Sequence, residues 1–474
     1  MRTGTSEFLP DRDGPSGSWQ KCLQAGRQYL AAGQPRAALP HLLAANRLRP
    51  GQFIVLQALA AAYLRAGQPD HALACFDQLL SLDPANWRAL HGRGLAQHAR
   101  GDRSAALGAF RRSVGSSPDA WEAWGSIADI TPDEDERVCA IAYRADALLR
   151  RCGSGQASPR DYSDCVRSLL DARRGHEAVE FIGRNTARFH DRSTAHDWLA
   201  RASYETGDYR EALRQKQYAL SPGQHGLADG PSSPSFSPDA AARALCGIGK
   251  ILEAAGISWF LAAGTLLGFY RDGAPLAHDR DVDIGVLADA VGGPDLAGVI
   301  REHPALLLDR RARPGDRYFP LTFEGIAVDI FLYEPGDGAL HCGLGRLVGD
   351  VAWRFTSFGL KAADFQGQTC NIPDDPDRYL DETYGYGWQM PDTGYASALS
   401  SPALCDVDPY VRAYYALARA LKARLSGDEA KVRALLRQSP VRVGLPDLAA
   451  GGVPPAGAGL ETNFHATENG EEDA

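Results

Sequence analysis

The sequence predicts an all-α solenoid of paired helices followed by an α+β domain. Three observations carry that expectation. Glycine, alanine and proline recur at a step of 34 residues between positions 33 and 118. A stretch rich in Pro, Ser and Gly, 221–238, interrupts the chain near its middle. Beyond it the helical periodicity gives way to short apolar runs, one of which carries aspartates at alternate positions: Asp279, Asp281 and Asp283.

The repeat comes first along the chain. Gly33, Gly67 and Gly101 share one register; Ala38, Ala72 and Ala106 share another, each followed by leucine; Pro50, Pro84 and Pro118 share a third. The glycine suits the turn between two helices, where positive φ is cheap only without a Cβ. The alanine lets the two helices approach closely, and the proline closes the second helix. Leu42, Phe76 and Phe110, four places after each alanine, are expected to fill the seam between helices. After Pro118 the register decays, then hairpin-like patterns return near Gly175 and Gly207. About five or six helix pairs are expected. The order of these residues at this step resembles the tetratricopeptide repeat. Such an array implies a surface for a protein partner or an extended substrate.

Composition bounds the rest. The 474 residues are too many for one ordinary domain, and 44% hydrophobic content is that of a globular protein. A net charge of −9 argues against a general nucleic-acid binder. The nine cysteines are irregularly spaced and form no CxxC pair, which points to free thiols in a reducing cytoplasm. No signal peptide and no membrane span are expected. The uncharged apolar run Ile257 to Tyr270 is too short to cross a bilayer.

The expected division is a disordered 1–18, helical repeats over 19–222, a linker over 223–238, a mixed domain with C-terminal helices over 239–438, and a disordered acidic tail over 439–474. Within the mixed domain, 239–256 reads as an amphipathic helix and 257–261 as a buried strand. A turn, Ala262-Ala263-Gly264-Thr265, then opens a short helix. Its N–H groups and the Thr265 hydroxyl suit a phosphate, and Arg271 comes next as an anion clamp. Alternate residues of a strand share a face, so Asp279, Asp281 and Asp283 point one way. Three like charges repel unless a cation lies among them, and hard oxygen ligands favour Mg²⁺ or Mn²⁺. A second apolar strand, 325–332, holds one acid, Asp329, which is expensive there unless a cation pairs it. An EF-hand is excluded: counting from Asp279, the sixth residue is Ile284 and the twelfth Ala290. Arg317 and Tyr318, just before the Asp329 strand, are expected to reach substrate, and Tyr384 and Trp388 read as core or pocket wall.

A Gly-Thr turn, an acidic strand and a later strand acid resemble the nucleotidyltransferase fold of the DNA polymerase β type. More narrowly, Gly264 to Gly268, Arg271, Asp279 to Ile284, Val328 to Phe331 and the closing Pro373, Tyr379-Leu380, Tyr384-Gly385, Trp388 and Pro391 resemble the LicD and fukutin family. The pattern departs from the family at His278 and Arg280, where a tryptophan and a run of three acids are common. The resemblance implies transfer of a phospho-substituent, such as phosphocholine or a phospho-alditol, from a CDP-activated donor to a glycan hydroxyl. It implies Asp281, Asp283 and Asp329 as catalytic, with Asp279 joining them as metal ligands. It implies Gly264, Thr265, Arg271 and His278 around the substrate. Nucleotidyl transfer from an NTP is the enzymatic alternative on the same fold, and a non-catalytic repeat scaffold is the other.

Overall fold

The computed structural model describes residues 18–220, 237–276, 279–288, 295–365, 368–392 and 394–443. Nearly all of the expected disordered ends and of the expected linker lie outside those residues, although Ser18 opens the first helix and 439–443 are described. Two compact units divide the chain between Ala147 and Leu148.

The first unit is helical. Ser18–Ala31 pairs with Pro35–Leu48, Phe53–Arg65 with Pro69–Leu82, and Trp87–Ala99 with Arg103–Ser116. Trp121–Ile130 and the start of Glu134–Gly153 come after them. The turn glycines take the left-handed backbone that their spacing predicts: φ is +70° at Gly33, +74° at Gly67 and +83° at Gly101. Ala38, Ala72 and Ala106 are each 0% exposed, with Leu42, Phe76 and Phe110 buried beside them. The large residues sit over glycines of a neighbouring helix. A Cβ on Gly92 would fall 2.2 Å from the Phe76 ring, and one on Gly94 2.4 Å from that of Phe110. Close approach of backbones, not only the alanine, therefore sets the helix spacing.

The second unit begins with helical repeats and continues into a mixed domain. Pro159–Asp171 and Gly175–Asn185 form one pair, Arg192–Glu205 and Tyr209–Ala219 another. In the first of these pairs Arg173 occupies the left-handed turn position, φ +57°, where the earlier pairs use glycine. These helices belong to the same compact unit as the sheet. Arg311 bonds Glu205 at 2.9 Å, Arg313 donates to the Asp171 carbonyl at 2.9 Å, and the Tyr204 hydroxyl donates to Asp350 at 2.5 Å. Tyr209 lies within the core of the sheet domain.

That domain is built from β1 (Trp259–Leu261), β2 (Asp281–Leu287), β3 (Leu306–Leu308), β4 (Tyr318–Phe323), β5 (Ile326–Gly336), β6 (Ala339–Gly343), β7 (Ala352–Thr356), β8 (Leu360–Phe365) and β9 (Gln368–Pro373). The sheet order is β1-β2-β5-β4-β3, with β6 and β7 extending from the far end of β5, and β8-β9 form a separate hairpin. The helix Pro238–Ala254, capped by Ser237, buries Leu245, Ile248 and Leu252 in the same core. Only β2 and β5 run parallel among the described pairs, and their register sets Asp283 opposite Asp329. Gly285 of β2 is required by the neighbouring strand: a Cβ there would stand 2.1 Å from the Phe260 ring of β1.

Candidate active site

The site forms where β2 and β5 lie side by side. Asp281 and Asp283 alternate with the buried Val282 and Ile284, so both carboxylates leave the core on one face. Asp329 alternates with Val328 and Ile330 in β5 and meets Asp283 across the strand pair. Two segments well separated in the chain, one marked by alternating acids and the other by a single isolated acid, thus place their carboxylates together.

The Gly-Thr turn braces Asp283. The Gly264 N–H donates to Asp283 Oδ2 at 2.9 Å, and the Asp283 N–H donates to Thr265 Oγ1 at 2.7 Å. The backbone takes the same path: Ala262 N–H donates to the Asp283 carbonyl at 3.3 Å. Ala263 sits at φ +39°, a strained value for a residue with a Cβ. Its N–H donates to the Tyr379 hydroxyl at 3.2 Å, which itself bonds Tyr333 at 2.7 Å. A chain Tyr333–Tyr379–Ala263 therefore holds the turn against the strand. Just beyond it, Gly268–Asp272 winds as a single π-helical turn, an irregularity that often accompanies functional sites.

Asp279 joins from the segment before β2. A Cβ on Gly264 would lie 3.1 Å from Asp283 Oδ2 and 3.3 Å from Asp279 Oδ2, so both carboxylates converge on that glycine. A side chain at Gly264 would therefore crowd both carboxylates.

Electrostatics record the crowding. Burial pushes the Asp283 carboxyl well above the usual range, and Asp281, Asp329 and Asp279 push it further; the Gly264 N–H opposes them. Asp329 is pushed up to about 6 by burial and by Asp281, against the stabilising hydrogen bond from Tyr318. The Tyr318 hydroxyl donates to Asp329 Oδ1 at 2.9 Å and its own ionisation is driven up, first by burial and then by Asp329. Asp281 is raised by burial but relieved by Arg419, Arg280 and Lys422. Among the described residues no three His, Cys, Asp or Glu side chains are drawn into a group that would close on a metal ion. The aspartates supply hard, mutually repelling oxygens on one face, a donor set whose chemistry fits a divalent cation.

The other expected substrate residues differ in placement. Thr265 is only 4% exposed, and its hydroxyl is engaged by the Asp283 N–H. The Gly264 N–H, expected from the sequence to meet phosphate, is likewise engaged, by Asp283. Both therefore act on the strand. Arg271 is held by Asp272, at 2.9 and 3.1 Å, and reaches the Trp388 carbonyl at 3.5 Å. Its field is nonetheless shaped by Tyr384 and Asp279, which puts it at the edge of the site. Arg317, one residue from Tyr318, takes the opposite side of the strand and pairs with Glu334 at 2.9 Å. Tyr384 acts electrostatically on the same side as Asp283 and Asp279 and packs on Tyr395 with ring centres 4.7 Å apart. His278 lies outside the described residues. Sequence reasoning missed Arg419 and Lys422, which act on Asp281. Their spacing on one helix face was visible, but not that action.

Comparison with known proteins finds two family matches, each over part of the chain. Residues 256–310 match the LicD/FKTN/FKRP nucleotidyltransferase domain, and residues 29–94 match the tetratricopeptide repeat. Over 147 residues the chain is 27% identical to ribitol-5-phosphate transferase FKTN of Mus musculus, covering 30% of this chain and 32% of that protein. The Homo sapiens protein of the same name is 24% identical over the same length and the same shares. The chain therefore spans about a third of the length of these curated relatives. Among solved structures, it is similar to Pseudomonas aeruginosa PilF at 15% identity and a TM-score of 0.31, covering 44% of this chain and 92% of that one. PilW, a type IV pilus biogenesis factor, is 14% identical with a TM-score of 0.32, covering 43% and 93%.

Proposed function

We propose that this chain is a metal-dependent phosphotransferase, moving a phosphocholine or phospho-alditol group from a CDP-activated donor to a glycan hydroxyl. The observation that carries the reading is the parallel register setting Asp283 opposite Asp329, with Asp281 on the same face and the Gly264 turn braced against them. The match to the LicD/FKTN/FKRP domain and the relatives named as ribitol-5-phosphate transferases support it.

Asp281, Asp283 and Asp329, with Asp279, are the residues proposed to hold Mg²⁺ or Mn²⁺. When bound, such an ion neutralises phosphate charge and acidifies an attacking hydroxyl. The protein's own part is positioning. Gly264 and Thr265 fix the Asp283 carboxylate and main chain, Tyr318 fixes Asp329, and the Tyr333–Tyr379 pair fixes the turn. Arg271 and Tyr384 border the site and are proposed to meet the donor. The repeat helices are proposed to hold the acceptor or a protein partner. The free state of all nine cysteines supports a cytoplasmic location, and no described helix is long and apolar enough to cross a membrane.

Thermal shift with Mg²⁺ and CDP-ribitol or CDP-choline tests the reading. A ligand bound by the folded state alone raises apparent stability by mass action. Stabilisation by a CDP donor, dependent on Mg²⁺ and abolished in the Asp281→Ala, Asp283→Ala double variant, is the expected result. Release of CMP identifies phosphotransfer. Release of pyrophosphate from an NTP would replace it with nucleotidyl transfer.

A further inference from the structure

A cavity of about 210 Å³ is lined by Arg317, His341, Arg346, Asp350, Cys405 and Asp406. It is separate from the aspartate site. Arg317 directly precedes Tyr318, the partner of Asp329, and its carbonyl accepts from the Leu332 N–H at 2.8 Å, which carries the β4–β5 ladder on by one residue. Alternate strand residues share a face, so Arg317 stands on the face away from Tyr318 and Asp329. There its guanidinium pairs with Glu334 of β5 at 2.9 Å, and Glu334 is in register with His341 of β6. Another part of the wall is fixed to the repeat helices. Tyr204 donates to Asp350 at 2.5 Å, and a Cβ on Gly349 would stand 3.4 Å from the Tyr209 ring.

The lining carries two arginines and two aspartates, so neither an anion nor a cation meets a surface of one sign. The guanidinium forks are also committed. Glu334 takes Nη2 of Arg346 at 2.7 Å and Nη2 of Arg317 at 2.9 Å, and the Gly315 carbonyl takes Nε of Arg346 at 2.6 Å. A ligand carboxylate or phosphate would have to displace Glu334 to gain the paired N–H bonds that make such contacts strong. Single donors and acceptors remain. Arg317 Nε is buried with no hydrogen-bond partner among the described residues, a state that costs free energy until something accepts from it. His341 Nε2 donates to the Gly336 carbonyl at 3.2 Å, which leaves Nδ1 as an acceptor. Asp350 gives Oδ1 to the Tyr204 hydroxyl and to the Val351 N–H at 2.7 Å, and Asp406 brings a carboxylate at an exposed position. A hydroxyl both donates and accepts, so a ligand carrying several of them satisfies such a mixed set without a net charge. Leu347 and Ala352 add apolar surface for its carbons. The volume is below the roughly 300–1,000 Å³ of sites for drug-sized ligands, which selects a single small unit over a nucleotide.

We infer that this cavity is a carbohydrate subsite, taking one neutral polyhydroxy unit, a sugar or an alditol, on the face of the sheet away from the acids. Its hydroxyls accept from Arg317 Nε and donate to Asp350, Asp406 and His341. That the unit belongs to a glycan acceptor rests on the phosphotransfer reading; binding of the polyol itself does not.

Saturation-transfer NMR titrations of the full chain, without metal, test the subsite. The probes are glucose, galactose, ribitol and xylitol, with glycine and inorganic phosphate as charged counterparts. At least one of the four polyols is expected to bind. Arg317→Lys keeps a charge beside Glu334 and removes Nε, and Asp406→Ala removes an exposed acceptor. Each is expected to weaken binding by about tenfold, as for one lost hydrogen bond to a charged group. Melting curves show whether each variant is folded, and Asp406→Ala decides the matter if Arg317→Lys is not. The Asp281→Ala, Asp283→Ala double variant should bind the polyol as the parent does. Failure of all four polyols to bind the parent overturns the subsite, as does binding of glycine or phosphate alone through Arg317 and Asp406. Polyol binding unchanged in both cavity variants also overturns it, and its loss in the acid double variant would then place the polyol among the acids. A polyol held in the cavity of a chain that binds no CDP donor keeps the subsite and removes the acceptor assignment.

Discussion

Asp329 is the residue whose titration should be easiest to read. It ionises at about 6 in the folded protein and near 4 in an unfolded chain, so unfolding releases its proton. Stability carried by the protonated carboxyl is therefore full below about pH 4 and is lost as pH rises through about 6. In metal-free solution Asp329→Asn should leave stability near pH 4 almost unchanged and raise it above pH 7, by at most about 3 kcal/mol. Denaturant unfolding across that range measures it; a variant less stable than the parent at neutral pH would refute the repulsion. Tyr318→Phe removes the hydrogen bond that opposes the shift, so the Asp329 pKa should climb further. Carboxyl chemical shifts tracked through pH would show this, and an unmoved or lowered pKa would contradict it. Gly264→Ala sets a Cβ against two carboxylates at 3.1 and 3.3 Å. The expected result is a small change in Tm and a loss of transfer of about tenfold to a hundredfold, since misplaced reacting groups lose rate steeply.

At the level of single elements, the repeat helices offer a pair of glycine substitutions with opposite signs. Gly94→Ala drives a methyl to 2.4 Å of the Phe110 ring, and overpacking of this kind costs about 1–3 kcal/mol. Gly108, on the helix Arg103–Ser116, has nothing within 4 Å of where its Cβ would stand. Gly108→Ala should stabilise by up to about 1 kcal/mol through helix propensity alone. Urea unfolding of the two variants separates packing from propensity; the same sign for both would mean that helix spacing is not set by the Gly94 contact. Arg173 shows another way to make a repeat turn. It fills a left-handed position that glycine fills elsewhere, and its guanidinium bonds Asp316 at 2.5 Å and the Arg311 carbonyl. Contacts with the sheet domain stand where backbone freedom stood in the earlier pairs.

Over the whole chain, the compact division at 147/148 has an energetic consequence. The last two helix pairs share hydrogen bonds, an ion pair and the buried Tyr209 with the sheet domain. A fragment beginning at residue 148 should unfold in one cooperative transition. A fragment beginning at residue 221 should lose Tm and expose apolar surface to a hydrophobic dye. Equal Tm for the two fragments would show that the helices are only passengers.

The sequence by itself determined the repeat step, the strand carrying alternate aspartates, and Asp329 as an acid stranded among apolar residues, because each is a local pattern of side chains along one segment. It also marked Gly264 and Thr265, although it directed their polar groups outward to a phosphate. Only the tertiary structure decided that those groups turn inward to Asp283 and that Tyr379 props the turn from more than a hundred residues away. Those outcomes depend on which strands and helices become neighbours, and the forces that choose neighbours act through space between segments whose separation along the chain leaves no periodic trace.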